Sequence, residues 1–239
     1  MHSVFIGYDP RFQTAYDVAE KSLREKCAAG VKVLPIVLSR LKSRGLYNRP
    51  TAIKGGQLYD EISAAPMSTE FAISRFMAPF LSGYQGWALF CDSDFLFRSD
   101  IADVFARADE KYAVMCVRHD YRPREGLKMD GQAQTRYPRK NWSSFMLFNN
   151  AHPANRLLTL DRINTLPGRD LHRFCWLKDE EIGGLPHSWN WLEGHSGPEI
   201  VPDAVHFTRG TPDIPGYEDV LYADEWRLYA GEQTRLKAA

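Results

Sequence analysis

Short apolar runs alternate with polar, turn-rich stretches along the whole chain. Val4-Phe5-Ile6 is a β-rich run ended by Gly7, and Asp9-Pro10 marks a turn. Thr14 to Lys26 carries Ala15, Val18, Ala19 and Leu23 at helical spacing, with Gly30 as a stop. Val31 to Leu38 reads as a second strand, and Pro35 inside it places that strand near a sheet edge. Strand, helix, strand in so short a span predicts a parallel βαβ unit. Residues 39–66 are polar and hold Gly45, Pro50, Gly55-Gly56 and Pro66, so a long connection with little regular structure is expected.

The spacing of Phe71, Ile73, Phe76, Met77 and Phe80 predicts a helix over Thr69 to Leu81, with Ser68 as cap and Pro79 as a kink. Trp87-Ala88-Leu89-Phe90-Cys91 is unbroken apolar sequence, as in a strand buried on both faces of a parallel sheet. A short helix is expected over Ile101 to Ala108, then strands over Tyr112 to Val117 and Phe145 to Phe148. Helices are expected over Pro153 to Thr165 and Trp176 to Gly184, and a Gly-, Pro- and aromatic-rich remainder ends in a polar tail. Between these lies a loop, Arg118 to Lys140, with seven basic and three acidic residues, suited to a lid, an acceptor platform or a plain solvated surface. No internal repeat or linker interrupts the pattern, so one α/β domain over residues 1–239 is the economical reading.

Composition adds exclusions. Apolar residues make up 44% and charged residues 25% of the 239, which argues against a disordered or low-complexity chain. Thirty basic residues balance thirty acidic ones. That neutrality disfavours a general nucleic-acid binder. No apolar run reaches membrane-span length and no signal peptide is visible, so a cytoplasmic protein is expected, with a peripheral membrane role left open. The four cysteines form no CxxC pair; Cys91, Cys116 and Cys175 have apolar neighbours and read as buried reduced thiols.

The chemistry concentrates after the apolar run at 87–91. Asp92-Ser93-Asp94 follows it at once, and Phe95-Leu96-Phe97 follows that. Two carboxylates so close to buried apolar sequence need a cation or several donors to compensate them. In open α/β sheets ligands bind at the carboxyl ends of strands. Hard divalent cations pair carboxylates with substrate phosphates. The local reading is a metal–diphosphate site; a capped turn with solvated carboxylates is the bland alternative.

The strand–Asp-Ser-Asp–apolar arrangement resembles the DxD motif of GT-A fold glycosyltransferases. Further segments, in order, resemble glycosyltransferase family 8, the glycogenin/galactosyltransferase-like group. They are Phe5-Ile6-Gly7-Tyr8-Asp9 with Ala15-Tyr16, Ser74-Arg75-Phe76, Trp142 to Asn149, Asp179-Glu180 before Leu185-Pro186 and Trp189-Asn190, and Val205-His206-Phe207 with Gly210. The resemblance implies a Rossmann-like fold with a mostly parallel central sheet flanked by helices. A donor-binding half would occupy about 1–117 and an acceptor- and metal-completing half about 118–239. It implies transfer of a sugar from a nucleoside diphosphate sugar, UDP-linked by family habit, to a saccharide, lipid or protein acceptor, with retention of configuration. Mn²⁺ or Mg²⁺ would be held by Asp92, Asp94 and His206. Tyr8, Asp9, Arg75, Asp92, Ser93 and Gly210 would bind the donor, and Asp179 and Glu180 would stand near the reacting carbon.

There are departures. Thr208 and Arg209 both separate Phe207 from Gly210, and Thr211-Pro212-Asp213 follows where the family carries Lys-Pro-Trp. Arg209 or Lys140 would have to replace that phosphate-binding Lys. Trp-Ser-Ser stands for Asn-Ser-Gly, and Glu180 for Gln. Trp189 and Trp191 read as core rather than as a sugar platform. Two other functions compete. A sugar-nucleotide-forming nucleotidyltransferase would need a Gly-rich basic loop after the first strand, and Gly7-Tyr8-Asp9-Pro10-Arg11 lacks it. A non-catalytic nucleotide- or carbohydrate-binding module would not need the Asp pair.

Overall fold

A computed structural model describes residues 2–27, 30–120, 126–127, 133–134, 139 and 141–231. β1 (His2–Tyr8), α1 (Gln13–Lys26) and β2 (Val31–Val37) form the expected βαβ unit. Then come α2 (Leu38–Ser43), β3 (Thr51–Lys54), β4 (Gln57–Asp60), β5 (Ala65–Pro66) and α3 (Ala78–Leu81). β6 (Trp87–Cys91), β7 (Phe95–Phe97), α4 (Ala102–Phe105) and β8 (Val114–Cys116) follow. β9 (Gly126–Leu127) and β10 (Ala133–Gln134) pair antiparallel. The rest comprises β11 (Phe145–Asn149), α5 (Leu160–Thr165), α6 (Gly168–His172), β12 (Ile182–Gly184), β13 (Trp191–Leu192), β14 (Ala204–His206) and α7 (Ala223–Ala230).

Six strands make the main sheet in the order β12-β8-β11-β6-β1-β2. β11 runs antiparallel to both neighbours; the other pairings are parallel. The sheet is thus mostly parallel, with β2 and its Pro35 at an edge as the sequence suggests. Alternate residues feed two cores. Phe5, Ala88 and Phe90 enter the core on one face, and Val4, Ile6, Leu89 and Cys91 enter the other. That two-sided burial explains why these strands lack polar alternation. A smaller sheet, β13-β14-β7, packs Leu96, Trp191 and Val205 against Val18 of α1 and Trp226 of α7. Trp189 and Trp191 are core residues, each 1% exposed.

Several expectations need correction. The connection at 39–66 is ordered: β3, β4 and β5 form an antiparallel sheet. Gly55 and Gly56, both at positive φ, make the two-residue turn that joins β3 to β4. The sheet is tied to the body by Arg49, which bonds Asp60 on β4 and the carbonyls of Ile163 and Leu166. The helix expected over Thr69 to Leu81 shrinks to a 3₁₀ turn, Ser74–Met77, and the short α3. Its first turns are diverted. The Glu70 amide donates to Asp9, and Arg11 takes the Ser68 carbonyl. The Pro153 to Thr165 segment breaks at Leu158, whose carbonyl accepts from Tyr84 Oη, and Thr159 caps α5. Trp176 to Gly184 is no helix. A 3₁₀ turn at Asp179–Glu181 enters β12, where Gly183 lets the strand sit against Met115 and Tyr112. Cys175 is exposed, because Phe174 takes φ 56° and turns its neighbour outward. The loop expected over Arg118 to Lys140 falls mostly outside the described residues.

Candidate metal and donor site

The site forms where β6 ends. The Asp92 amide still donates to the Ser144 carbonyl (2.9 Å), which extends the β6–β11 ladder by one rung and fixes the strand's exit. The chain crosses through Asp92-Ser93-Asp94 into β7. β7 pairs antiparallel with β14, with His206 opposite Phe95. The Phe207 amide donates to the Asp94 carbonyl (2.9 Å), and the His206 ring stacks on Phe95. Pairing of β7 with β14 is what carries a histidine over a hundred residues away to the acidic pair. Asp92, Asp94 and His206 offer three ligand atoms within 4.8 Å of one another.

Charges around the pair differ. Arg75 Nη1 lies 2.7 Å from Asp92 Oδ1 and donates to the Ser143 carbonyl (2.8 Å), while its Nε donates to the Ala72 carbonyl (3.1 Å). Burial pushes the Asp92 carboxyl up to about 6, against the pull of Arg75. Burial would raise Asp94 too, but the His206 charge and hydrogen bond bring it below the usual carboxylate range.

A polar network sets the histidine's orientation. Asn190 Nδ2 donates to Ser144 Oγ (2.9 Å) and to the Asn141 carbonyl (3.4 Å), and Ser144 Oγ donates to that same carbonyl (2.7 Å). Asn190 Oδ1 therefore faces His206 Nδ1 at 2.9 Å, and Nδ1 carries the proton. His206 Nε2 lies 3.3 Å from Asp94 Oδ1: a protonated ring donates across that gap, and a neutral ring presents a lone pair there to a cation. The donor set fits a divalent ion. Asp92 Oδ1 and Asp94 Oδ1 are buried, and neither receives a hydrogen bond of good geometry. Ligands at about 2.1 Å from an octahedral ion stand about 3–4 Å apart, so only slight contraction is needed. Two carboxylates and one imidazole form a donor set for a divalent cation. Asn190 is a functional residue that the sequence pattern alone does not assign; its one signal is a polar side chain between two core tryptophans, Trp189 and Trp191. Asn190→Ala is expected to weaken Mn²⁺ binding about 10–100-fold, measured by calorimetric titration.

The other expected residues divide. Ser93 is buried within the turn, and Arg75 reaches the site. Tyr8, at the carboxyl end of β1, lines a cleft of about 550 Å³ with Gln13, Tyr16, Pro35, Ser39 and Glu70. Its hydroxyl donates to Gln13 Oε1 (2.5 Å). Asp9 is fully buried and accepts from Arg11 and from the Glu70 amide, so it clamps the turn rather than facing the cleft. Gly210 is a packing residue: a Cβ there would lie 2.7 Å from the Tyr217 ring. Gly210→Ala is expected to cost about 1–3 kcal/mol through that overlap, read as a lower unfolding midpoint in urea.

Asp179 and Glu180 are not among the triad's ligand atoms. They precede β12, three strand positions from β6, and Ile182 pairs with Val114 at the amino end of the parallel strands. Asp92 leaves the carboxyl end. Asp179 is 90% exposed and pairs with Arg139, and Glu180 is exposed. Arg209 is held by Glu193 (2.6 Å), and Lys140 lies outside the described residues. Among the described residues, no helix is long and apolar enough to cross a membrane.

Comparison with known proteins matches this architecture. No protein-family model matches the chain. Glycosyltransferase GlyE of Streptococcus pneumoniae TIGR4 superposes with a TM-score of 0.61 at 15% identity, over 97% of this chain and 60% of that one. The bifunctional glycosyltransferase WbbM gives 0.61 at 12%, over 97% and 50%. The chain thus spans about half to three-fifths of those two proteins. Galactosyltransferase LgtC gives 0.55 at 10%, over 97% of this chain and 95% of that one. These likenesses establish the GT-A fold expected from the motifs, in a form resembling family 8. In sequence, Protein CDI of Arabidopsis thaliana is 48% identical over 228 residues, covering 93% of this chain and 83% of that protein. The chain belongs to the family of Protein CDI and folds as a GT-A glycosyltransferase domain.

Proposed function

We propose that the protein is a metal-dependent glycosyltransferase that uses a nucleoside diphosphate sugar, with UDP as the nucleotide on the family resemblance. One observation carries this reading: Asp92, Asp94 and His206 converge where β6 ends, in a sheet whose next strand, β1, opens at its carboxyl end onto a cleft of about 550 Å³. The acceptor is a saccharide, lipid or protein. One domain spans both halves, since the first supplies the Asp pair and the second supplies His206 and Asn190.

Asp92, Asp94 and His206 would hold the ion, and Asn190 would keep the His206 lone pair aimed at it. When bound, Mn²⁺ or Mg²⁺ neutralises charge growing on the leaving diphosphate. Arg75, buried against Phe71 and Phe90, would steady Asp92 and offer a fixed positive charge at the same place. The arrangement costs little reorganisation at the moment of transfer, because its donors are already held by backbone carbonyls and packed rings.

A panel of UDP- and GDP-sugars with Mn²⁺ tests the reading. Release of free nucleoside diphosphate, with water or an added sugar as acceptor, is the expected result. Nucleotide binding with no turnover in any combination would favour the binding-module alternative.

A further inference from the structure

Arg75 steadies Asp92, and two backbone carbonyls steady Arg75. Its Nε donates to Ala72 (3.1 Å) and its Nη1 to Ser143 (2.8 Å). Those carbonyls belong to separate stretches of chain. Ala72 lies just ahead of the 3₁₀ turn Ser74–Met77, and Ser143 lies in the 3₁₀ turn Trp142–Ser144 that leads into β11. His172, the last residue of α6, joins the two. Its Nδ1 stands 2.7 Å from Ser143 Oγ, and its ring also bonds the Ala72 backbone. That second bond raises the ring's basicity, so its partner is the Ala72 carbonyl, an acceptor. Phe76 meets the same ring edge-on, with centroids 5.3 Å apart.

These contacts fix the tautomer. Burial and the Arg75 charge push His172 down to about 3, so at neutral pH the ring has one donor and one acceptor. A carbonyl can only accept, so Nε2 carries the proton and donates to Ala72. Bare Nδ1 then accepts from the Ser143 hydroxyl. Both ring nitrogens are spent, the ring is a weak base, and Ser143 is only 4% exposed. A serine nucleophile with its general base would need the opposite of each, so the pair is a brace.

Two neighbouring serines divide the support of the metal ligands. Ser144 connects through Asn190 to His206, and Ser143 connects through its carbonyl and Arg75 to Asp92. We propose that His172 is a positioning residue: it ties the Ala72 and Ser143 segments together and so holds the Arg75 guanidinium in place beside Asp92. His172 stands to Arg75 as Asn190 stands to His206. The consequence for a bound diphosphate rests on the proposed donor reading; the brace itself does not.

The test has two readouts. One is the Arg75 Nε–H signal in the ¹H–¹⁵N spectrum of the metal-free protein, assigned by its loss in Arg75→Met. The other is the affinity for UDP and for pyrophosphate, titrated calorimetrically with Mn²⁺ present. His172→Phe keeps a ring against Phe76 and loses both bonds, and His172→Gln keeps one donor and one acceptor. Thermal melting checks each fold. In His172→Phe the Arg75 Nε–H is expected to exchange with solvent at least about tenfold faster. Diphosphate binding should weaken about tenfold, the low end for an outer partner of a metal ligand, and His172→Gln should recover most of both losses. In the Arg75→Met background, His172→Phe should change affinity by less than about twofold, because nothing is left to position. Ser143→Ala, which removes the Nδ1 bond alone, runs the same cycle if His172→Phe does not fold. An Arg75 signal unchanged in the folded variant, or effects that simply add in the double variant, would overturn the proposal. Wild type that binds neither ligand would sink the donor reading and leave the brace to be decided by the Arg75 signal.

Discussion

Asp60→Ala is expected to cost about 3–5 kcal/mol of folding stability, measured by urea unfolding at pH 7. Arg49 and Asp60 are both fully buried and joined by paired bonds, Nε to Oδ1 at 2.9 Å and Nη2 to Oδ2. The substitution leaves a guanidinium in the interior with only carbonyls and Ser63 around it. Domains of this kind are stable by about 5–15 kcal/mol in all, so the loss is a large share. Asp60→Asn keeps the shape and removes the charge, and separates lost packing from lost charge. The pH dependence has a definite sign. Burial alone would raise the Asp60 carboxyl, but Arg49 and Ser63 outweigh it and hold it below 3.8. A depressed carboxyl stabilises the fold above its unfolded value, and that stability drains away as pH falls through the folded value. The gap between wild type and Asp60→Asn should therefore be full above about pH 4 and shrink in more acid solution. A cost below about 1 kcal/mol at pH 7 would mean that the clamp is not what ties β3 to β5 to the body.

Asp94→Ala is expected to lower sugar-donor turnover by about two to three orders of magnitude or more while the melting temperature holds within a few degrees. Asp94 is 30% exposed and faces His206, so its removal opens the cation site without hollowing the core. His206→Ala is the companion. It should lower activity similarly but also disturb the Asn190 and Ser144 network, giving a larger change in melting. Activity retained in Asp94→Ala, with or without added Mn²⁺, would contradict the assignment of the triad.

Much of this was legible in the chain because burial leaves a plain mark. A five-residue apolar run with two aspartates at its end points to a buried strand delivering charge to the mouth of a sheet, and β6 does that. The link to His206 was not legible from spacing, since antiparallel pairing of β7 with β14 makes it. Family resemblance supplied the histidine where local pattern had nothing to say. The same resemblance placed Asp179 and Glu180 near the reaction. Here they enter β12, and Asp179 pairs with Arg139, two residues before the Asn141 carbonyl that accepts from Ser144 and Asn190.

Short elements were the other blind spot. β3 and β4 are four residues each, too brief for alternation to stand out, although Gly55-Gly56 was a hairpin signal. α7 was read as tail. Its cues were Asp224 and Glu225 in the first turn and Gly231 after the end, but its stability comes from burying Trp226 against α1 and β14, which no local pattern reports. Asp9 shows the reverse case. Its position suggests a ligand contact, and the arginine two residues on consumes it instead.

On the proposed function, the carboxyl ends of β1 and β6 would hold a nucleoside diphosphate through a divalent cation. Calorimetric titration of UDP into the wild-type protein, with Mn²⁺ and then with the metal removed by EDTA, measures it directly. Saturable one-to-one binding is expected with the cation, and an affinity at least about tenfold weaker without it. Equal affinity in both conditions, or no binding in either, would contradict it.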